Sequence, residues 1–179
     1  TMRPARCILF CNTRERVDAL AEEFKRTDWR WATLHGGMEQ RDRLQTMQDF
    51  KRGRFHILIA TDVAARGIHV DNIGLVINVD MPFDNESYIH RIGRTGRQEN
   101  CGMAISLVTP AEHAYLAGLE AYLQYRLRRQ EPPSAQAVEQ GKQLMEKKGR
   151  RLLPANTTLD RLNRDISRIR INAGRKEKM

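Results

Sequence analysis

The feature that most restricts the fold is a regular alternation of short apolar runs with amphipathic segments. The apolar runs occupy residues 6–12, 31–37, 55–61, 75–80 and 103–109. Apolar residues recur at helical spacing in the segments 13–26, 39–53, 86–92 and 110–123. Strands that are apolar throughout are typical of a sheet covered on both faces. The pattern therefore predicts an α/β fold, a parallel β-sheet flanked by helices on both faces.

Local signals mark the ends and the inner faces of two of these helices. Thr13 stands where an N-cap is expected before the first helix. In the second helix, the spacing of Leu44, Met47 and Phe50 predicts that these side chains face the core. Gly53 then follows as a helix stop.

The predicted sheet indicates where a ligand would bind. In open parallel sheets, ligands lie outside the carboxyl ends of the strands. The segments that follow those ends are Asn12–Arg14, His35–Gln40, Thr61–His69 and Asp80–Asp84. Functional side chains are therefore expected among them.

Charge is distributed unevenly along the 179 residues, whose net charge is +9. Residues 1–139 hold 19 basic and 18 acidic side chains, whereas residues 140–179 hold 12 and 4. This asymmetry fits a nucleic-acid-facing appendage on a balanced domain, and it equally fits a solvated basic tail without a partner. Charge alone does not decide between them.

Apolar runs and cysteines bear on the compartment. No run reaches transmembrane length and no signal-peptide pattern begins the chain, so we expect a soluble, cytoplasmic protein without a membrane partner. Cys7 and Cys11 flank an apolar stretch, which favours buried free thiols over a disulfide or a metal site. Free thiols suit a reducing compartment.

The segment "YIHRIGRTGR" at 88–97 carries the densest chemistry. Arg91, Arg94 and Arg97 are three residues apart, with Gly93 and Gly96 between them. On a helix, such a spacing fans the side chains over an arc, and glycines remove bulk where the backbone passes close to a neighbour. A fan of guanidinium groups matches a polyphosphate, although physical chemistry alone does not exclude an RNA backbone as the anion.

Together with "ATDVAARGI" at 60–68, this segment resembles motifs VI and V of the DEAD-box RNA helicases. "ILFCNT" at 8–13 is similar to motif IV, "HGGMEQRDR" at 35–43 to the Gly-rich turn with its Q-x-x-R element, and "VINVDMP" at 76–82 to motif Va. Five such pieces in the family's order, over most of residues 5–125, form a highly specific resemblance. It implies a RecA-like fold and an ATP-dependent RNA helicase.

The resemblance also implies roles for individual residues. Arg94 and Arg97 match the catalytic arginines that reach the γ-phosphate of ATP. The residues that match ATP-binding or coupling positions are Asp62, Gly67, His69, His90 and Arg91. The residues that match RNA-binding positions are Thr13, Arg14, Gly36, Gly37, Gln40, Arg43 and Thr61. His69 stands where the family usually has Asp, which indicates either tolerated drift or altered nucleotide affinity.

Two family motifs are missing from this sequence. It contains neither the phosphate-binding G-x-x-x-x-G-K-[ST] pattern nor a DEAD tetrapeptide, and no metal site is expected in it. The resemblance therefore implies that ATP and Mg²⁺ are bound mainly by an upstream RecA-like domain, and that residues 1–179 alone hydrolyse almost no ATP.

The C-terminal part is similar to the bacterial DbpA/YxiN branch of the family, whose helicase core precedes a small RRM-like domain that recognises a hairpin of large-subunit ribosomal RNA. We predict a helicase C-terminal domain at 1–130, a linker with a helix capped by Ser134 at 131–160, and the start of a truncated RRM-like domain at 161–179. That last segment lacks aromatics, so it cannot read bases by itself.

Three functional hypotheses follow. The first is the second half of an RNA helicase that unwinds short duplexes in ribosomal RNA remodelling or ribosome assembly. The second is a non-catalytic RNA-binding or annealing module with impaired nucleotide use. The third, a DNA helicase of the same superfamily, fits the wording of motifs V and VI less well.

Overall fold

Five strands form one parallel sheet in the computed structural model, which describes residues 6–65, 73–95 and 102–140. They are β1 (Arg6–Cys11), β2 (Trp31–Leu34), β3 (Ile57–Thr61), β4 (Ile73–Asn78) and β5 (Met103–Ser106). Their order across the sheet is β2-β3-β1-β4-β5, and every neighbouring pair is parallel. The predicted α/β class is confirmed.

Five α-helices connect or follow these strands within the described part of residues 6–124. They are α1 (Arg14–Phe24), α2 (Gln40–Arg52), α3 (Asp62–Ala65), α4 (Asn85–Ile92) and α5 (His113–Leu123), the last preceded by a 3₁₀ turn at Pro110–Glu112. Thr13 caps α1, since its Oγ1 accepts a hydrogen bond of 3.2 Å from the Arg16 N–H. Gly53 ends α2 with φ = 72°, a left-handed conformation that favours glycine. Both terminus predictions are confirmed.

The two faces of the sheet are covered by different helices. Phe50 of α2 packs with Ile8, Phe10 and Leu58 on one face, while Val17 of α1 packs against residues of the opposite face. The two clusters form because successive side chains of a strand point to opposite faces.

The prediction that Leu44 faces the core is wrong. Leu44 is 55% exposed, whereas Phe50 is fully buried and Met47 is partly buried against it. At roughly 100° per residue, Leu44 lies about 120° around the helix from Phe50. The stripe that faces the sheet is centred on Phe50, so Leu44 falls outside it.

The cysteines of β1 are unpaired thiols, as predicted. Cys11 is buried and Cys7 is half-buried. Burial raises the pKa of Cys7 to about 12. Burial, with a smaller contribution from the nearby Asp80 carboxylate, raises the pKa of Cys11 to about 11. Both groups are therefore neutral thiols at physiological pH.

The chain divides into two units, residues 1–124 and 125–179. In the second unit, residues 135–140 are helical, and the Ser134 Oγ accepts a hydrogen bond of 3.2 Å from the Ala137 N–H. The predicted cap of this helix is thus confirmed. Residues 141–179, with the rest of the predicted linker and the predicted RRM-like start, lie outside the described residues, so the domain limits at 130 and 160 stay predictions. Within the described ranges, no helix has the length and apolar character to cross a membrane.

Candidate functional site

The carboxyl ends of the three central strands lie side by side. Cys11 at the end of β1 is in register with Thr61 at the end of β3, and Phe10 is in register with Asn78 at the end of β4. The residues that follow these ends are Asn12, Asp62 and Asp80. The described starts of three segments singled out from the sequence, those that follow β1, β3 and β4, therefore meet at one edge.

A buried arginine joins these three strand ends. Arg91, in the last turn of α4, is only 1% exposed. Its Nε and Nη2 donate to the two carboxylate oxygens of Asp62, at 2.7 and 2.6 Å. Its Nη1 donates to the Asp80 carbonyl oxygen and its Nη2 to the Asn12 Oδ1, both at 2.7 Å. The guanidinium carbon lies 5.3 Å from the ring centre of Phe10, a cation–π distance.

The partners of Arg91 are themselves held in place. The Asn12 backbone N–H donates to Asp80 Oδ2 at 3.1 Å, and the Asn12 Nδ2 donates to the Met81 carbonyl oxygen at 2.8 Å. The Arg16 Nε donates to Asp80 Oδ1 at 3.3 Å. Because the Asn12 amide and the Asp80 carboxylate each have fixed partners, the site around Arg91 is preorganised.

Arg94 lies close to Arg91 but in a different setting. α4 ends at Ile92, and a Cβ atom at Gly93 would come within 3.0 Å of the Ile89 carbonyl oxygen. Arg94 is half-buried, and its Nε donates to the His90 carbonyl oxygen at 3.2 Å. Thr95 anchors the chain that follows, because its Oγ1 donates to the Ile73 carbonyl oxygen at 2.5 Å. The backbone is thus fastened on both sides of Arg94.

A cavity of about 250 Å³ opens beside these residues. The residues that line it are Phe10, Asp62, Ala65, Ser87, His90, Arg91 and Arg94. The Arg91 donors face Asp62, Asp80 and Asn12. Of the two arginines that line the cavity, Arg94 is more exposed than Arg91. His90 is exposed and lies 3.9 Å from the Glu86 carboxylate. The pocket lining therefore combines a guanidinium and an imidazole, which are groups that bind phosphate oxygens, with the Ser87 hydroxyl, which donates to Asp84 Oδ2 at 2.8 Å.

Three predicted site residues, Gly67, His69 and Arg97, lie outside the described residues. Their roles stay predictions. Thr61 is described and is 8% exposed at the end of β3.

A second group of predicted residues gathers at the N-termini of α1 and α2. The Gly37 N–H donates to His35 Nδ1 at 3.2 Å, and a Cβ at Gly37 would lie 3.3 Å from that nitrogen and 3.8 Å from Cδ of Arg14. Arg14 is exposed and pairs with Glu15 at 2.7 Å, and this hydrogen bond raises the pKa of Arg14 above its already high value. The Gly-rich turn and the start of α1 are therefore adjacent, with backbone N–H groups near a cation.

The first turn of α2 adds a further cation. The Arg43 Nη1 donates to Gln40 Oε1 at 3.2 Å. Among the described residues, no partner accepts a hydrogen bond from the buried Arg43 Nε. A cation and backbone N–H groups at a helix N-terminus favour an anion such as a phosphate.

Sequence reasoning missed two features of this edge. It did not identify Asn12 and Asp80 as partners of Arg91, because pairings 79 and 11 residues apart leave no local signal. It also missed His35, whose Nε2 lies 3.4 Å from Asp18 Oδ1 and whose Nδ1 accepts from Gly37. Its position directly before two glycines was the available signal.

Within the described ranges, no group of three or more His, Cys, Asp or Glu side chains is placed to bind a metal ion. The described residues therefore fit part of a nucleotide-phosphate site, and they supply cations and hydrogen-bond donors but no metal-binding cluster.

Comparison with known proteins agrees with this geometry. The model of the helicase conserved C-terminal domain family matches residues 1–99, and the chain belongs to this family. Its sheet and flanking helices are the RecA-like fold of DEAD-box C-terminal domains. The resemblance and the fold class are thus confirmed.

Three relatives show how far the similarity extends. The ATP-dependent RNA helicase DbpA of Bacillus subtilis is 43% identical over 180 residues, which is 100% of this chain and 38% of the relative. The E. coli DEAD-box protein SrmB, solved bound to the regulator of ribonuclease activity A, is 35% identical with a TM-score of 0.65 over 75% of this chain and 84% of that one. S. cerevisiae Dbp5, solved bound to RNA and ADP BeF3, is 30% identical with a TM-score of 0.67 over 80% of this chain and 38% of that one. The chain spans less than two fifths of the length of the B. subtilis relative.

Proposed function

We propose that this chain is the C-terminal half of an ATP-dependent RNA helicase, which contacts both the phosphates of ATP and the backbone of RNA. The proposal rests on the different environments of two arginines in the segment 88–97. Arg91 is buried and satisfied within the domain, whereas Arg94 lies beside a cavity at the carboxyl edge of the sheet.

Arg94 and Arg97 are the proposed catalytic residues. A half-buried guanidinium that is fastened by its neighbours stabilises negative charge more effectively than one in bulk water, because little reorganisation is needed. ATP, when bound, supplies the phosphoanhydride bond that is hydrolysed, and the two arginines would stabilise the charge that develops on the transferred phosphoryl group. The remaining residues assigned to nucleotide binding or coupling are Asp62, Gly67, His69 and His90.

The phosphate-binding loop and the Mg²⁺ ligands are proposed to lie on a second RecA-like domain. The described residues supply cations and hydrogen-bond donors but no metal-binding cluster. DEAD-box proteins such as Dbp5 have been solved with RNA and a nucleotide analogue together. Because the phosphate-binding loop and the Mg²⁺ ligands are assigned to the second domain, the cavity beside Arg94 forms one wall of a cleft that the second domain completes.

RNA is proposed to lie along the N-termini of α1 and α2. There, Gly36 and Gly37 expose backbone, and the cations Arg14 and Arg43 stand beside it. Such a surface grips phosphates and therefore reads little sequence. Thr13, Gln40 and Thr61 belong to the same proposed contact.

The Arg91 network offers a physical link between the two ligands. Arg91 joins Asn12, directly before the proposed RNA contact at Thr13 and Arg14, to Asp62, which lines the cavity. Since Arg91 is buried and its Nε, Nη1 and Nη2 all donate to partners, a shift at one ligand is transmitted through a rigid connection. ATP-dependent closure would in this way strain a short bound duplex.

The physiological RNA is proposed to be large-subunit ribosomal RNA, acted on in the cytoplasm during ribosome assembly. This part rests on the resemblance of residues 161–179 to the start of an RRM-like domain and on the match to the B. subtilis relative, which covers all of this chain and 38% of the relative.

The test compares Arg94→Ala with wild type in the protein that carries this chain and a second RecA-like domain. RNA-stimulated ATP hydrolysis should fall roughly a hundredfold or more, because removed arginine fingers cost 10³–10⁵ in related phosphoryl transfer. Nucleotide-free RNA affinity should change by less than about twofold. The isolated 179-residue chain should hydrolyse almost no ATP.

Arg126→Ala serves as the matched control, since it removes an exposed arginine from the second unit. It should leave both readouts unchanged. If Arg94→Ala weakened RNA binding while ATP hydrolysis persisted, the chain would instead be a non-catalytic RNA-binding module.

A further inference from the structure

A second cationic surface lies at the opposite edge of the sheet, where the strands begin. We call it the amino-edge cluster, and its members are Arg6, Arg30, Lys51, Arg52, Arg54 and His56. None of these residues belongs to a motif that the proposed function uses. At about 3.3 Å per residue, the five residues of β3 separate this surface from the carboxyl edge by roughly 15 Å.

Backbone hydrogen bonds set three members of the cluster in a row. The His56 N–H donates to the Arg30 carbonyl oxygen at 3.0 Å, and the Cys7 N–H donates to the His56 carbonyl oxygen at 2.8 Å. Arg30, His56 and Arg6 therefore begin or precede three adjacent strands. Parallel pairing delivers these residues to the same edge, although they lie far apart in sequence.

Arg6 is a fixed part of this surface. It is 6% exposed, its Nη2 donates to the Lys51 carbonyl oxygen at 2.8 Å, and its guanidinium carbon lies 5.9 Å from the ring centre of Phe50. It therefore binds the C-terminal end of α2, while its charge remains close to His56. The charge of Arg6 is therefore one contribution to the positive field at His56.

Among the described residues, the charge of the exposed members is only partly neutralised nearby. Arg54 pairs with Asp49 at 3.1 Å. Arg30, Lys51 and Arg52 are exposed, and Asp28 is the other acidic side chain in these turns. Consistent with a positive field, the pKa of His56 is lowered, first by burial and then by the charges of Arg30 and Arg6.

An exposed tryptophan borders the cluster. Trp29 directly precedes Arg30 and is 37% exposed, whereas Trp31 is half-buried and packs edge-on against Phe24 at 6.2 Å between ring centres. An exposed aromatic ring next in the chain to an exposed cation fits the way proteins bind single-stranded nucleic acid, since phosphates meet the cations and a base stacks on the ring. An acidic protein is the alternative ligand of such a cluster. It would pair with the cations, but the exposed ring would make no comparable contribution to its binding.

We propose that the amino-edge cluster, together with Trp29, binds a second segment of single-stranded RNA. The proposal rests on the proposed function, in that the protein acts on RNA, but it uses a surface separate from the RNA contact at the carboxyl edge. A strand that leaves the carboxyl edge, or a neighbouring part of a folded RNA, would be held there without sequence preference.

Fluorescence anisotropy with a labelled oligouridylate of about 24 nucleotides, longer than a single site, tests the affinity. The variant Arg30→Gln/Lys51→Gln removes two exposed cations, and the matched control Arg126→Gln/Arg128→Gln removes two from the second unit. The cluster variant should bind roughly tenfold more weakly near 0.1 M salt, and its slope of log K against log salt should be lower by about 1.4. Equal behaviour of the two variants would overturn the proposal.

Two local probes report on the surface directly. In a Trp31→Phe background, Trp29 is the sole tryptophan, so RNA should quench its fluorescence. Bound phosphates should also raise the pKa of His56, followed by NMR of its ring. The absence of both changes at saturating RNA would refute the inference, as would a polyglutamate that binds the cluster as tightly as RNA does.

The variant Arg14→Gln/Arg43→Gln separates this inference from the proposed function. It should weaken RNA binding while it leaves the Trp29 quenching and the His56 shift in place at saturation. If it had no effect on affinity, the carboxyl-edge RNA contact would fail, whereas the amino-edge contact would stand on its own probes.

Discussion

Removing the carboxylate that faces Arg91 tests whether this buried guanidinium depends on its counter-ion. In Asp62→Ala, Arg91 keeps the Asp80 carbonyl and the Asn12 amide but loses both bonds to Asp62, at 2.6 and 2.7 Å. Breaking a buried pair in this way costs about 3–5 kcal/mol. Because the Asp62 side chain is 28% exposed, water can enter, and we expect about 3 kcal/mol.

Urea unfolding followed by tryptophan fluorescence measures this loss. Both tryptophans, Trp29 and Trp31, lie in the first unit, so the signal reports on the domain that holds Arg91. With a slope of about 1–3 kcal/mol per molar urea, the midpoint should fall by roughly 1–3 M.

Two further measurements complete the experiment. One uses a variant that breaks an exposed ion pair, and the other uses a double variant at Arg91 and Asp62. Glu15→Ala breaks an exposed pair with Arg14, so its midpoint should match wild type. Arg91→Met should also destabilise, but the double variant Arg91→Met/Asp62→Ala should lose about 1–3 kcal/mol less than the sum of the two. A wild-type midpoint in Asp62→Ala, or strict additivity in the cycle, would refute the assignment of Arg91 as a buried, counter-ion-dependent link.

Two further outcomes follow from helix ends. Asp84 caps α4, and hydrogen bonds from Ser87 lower its pKa. The variant Asp84→Ala should therefore melt at a lower temperature than wild type at pH 7. This difference in melting temperature should vanish as the pH falls below about 3.9 and through the pKa of Asp84 in the folded protein. A gap that persisted at pH 2 would contradict the role of the carboxylate. The variant Gly53→Ala should destabilise the protein by about 1 kcal/mol because φ of Gly53 is 72°. The variant Gly118→Ala should stabilise it by about 0.5–1 kcal/mol, because Gly118 lies in a helix with open space around the new Cβ. Denaturant midpoints that shifted in the same direction in both variants would refute this contrast.

The class of the fold was predictable because its signal is local. Apolar runs gave all five strands to within about three residues, and Thr13 and Gly53 gave two helix ends. The strand order β2-β3-β1-β4-β5 was not predictable, since it depends on which edges pair after the helices have packed. The error at Leu44 has a related cause, because periodicity identifies a stripe on a helix but does not fix how the helix is rotated against the sheet.

For the described residues, part of the candidate site's membership was predictable, but its connections were not. Motif resemblance placed Asp62, His90, Arg91 and Arg94 in one site, and the described structure brings all four to one cavity. Arg91 and Arg94 carry the same side chain three residues apart, and only the motif resemblance assigned them different roles. Burial distinguishes them, and burial is decided by Asn12, Asp62 and Asp80, which come from three different strand ends.

The end of α4 explains why one motif supplies two kinds of arginine. Tyr88 and Arg91 are three residues apart, and both face inward, at 2% and 1% exposed. A continued helix would carry Arg94 along the same inward stripe. The helix instead ends at Ile92, and Gly93, where a Cβ would approach the Ile89 carbonyl oxygen to 3.0 Å, lets the backbone turn closely around the helix end. Arg94 therefore leaves the stripe and reaches the cavity, while Arg91 fixes the wall on which it stands.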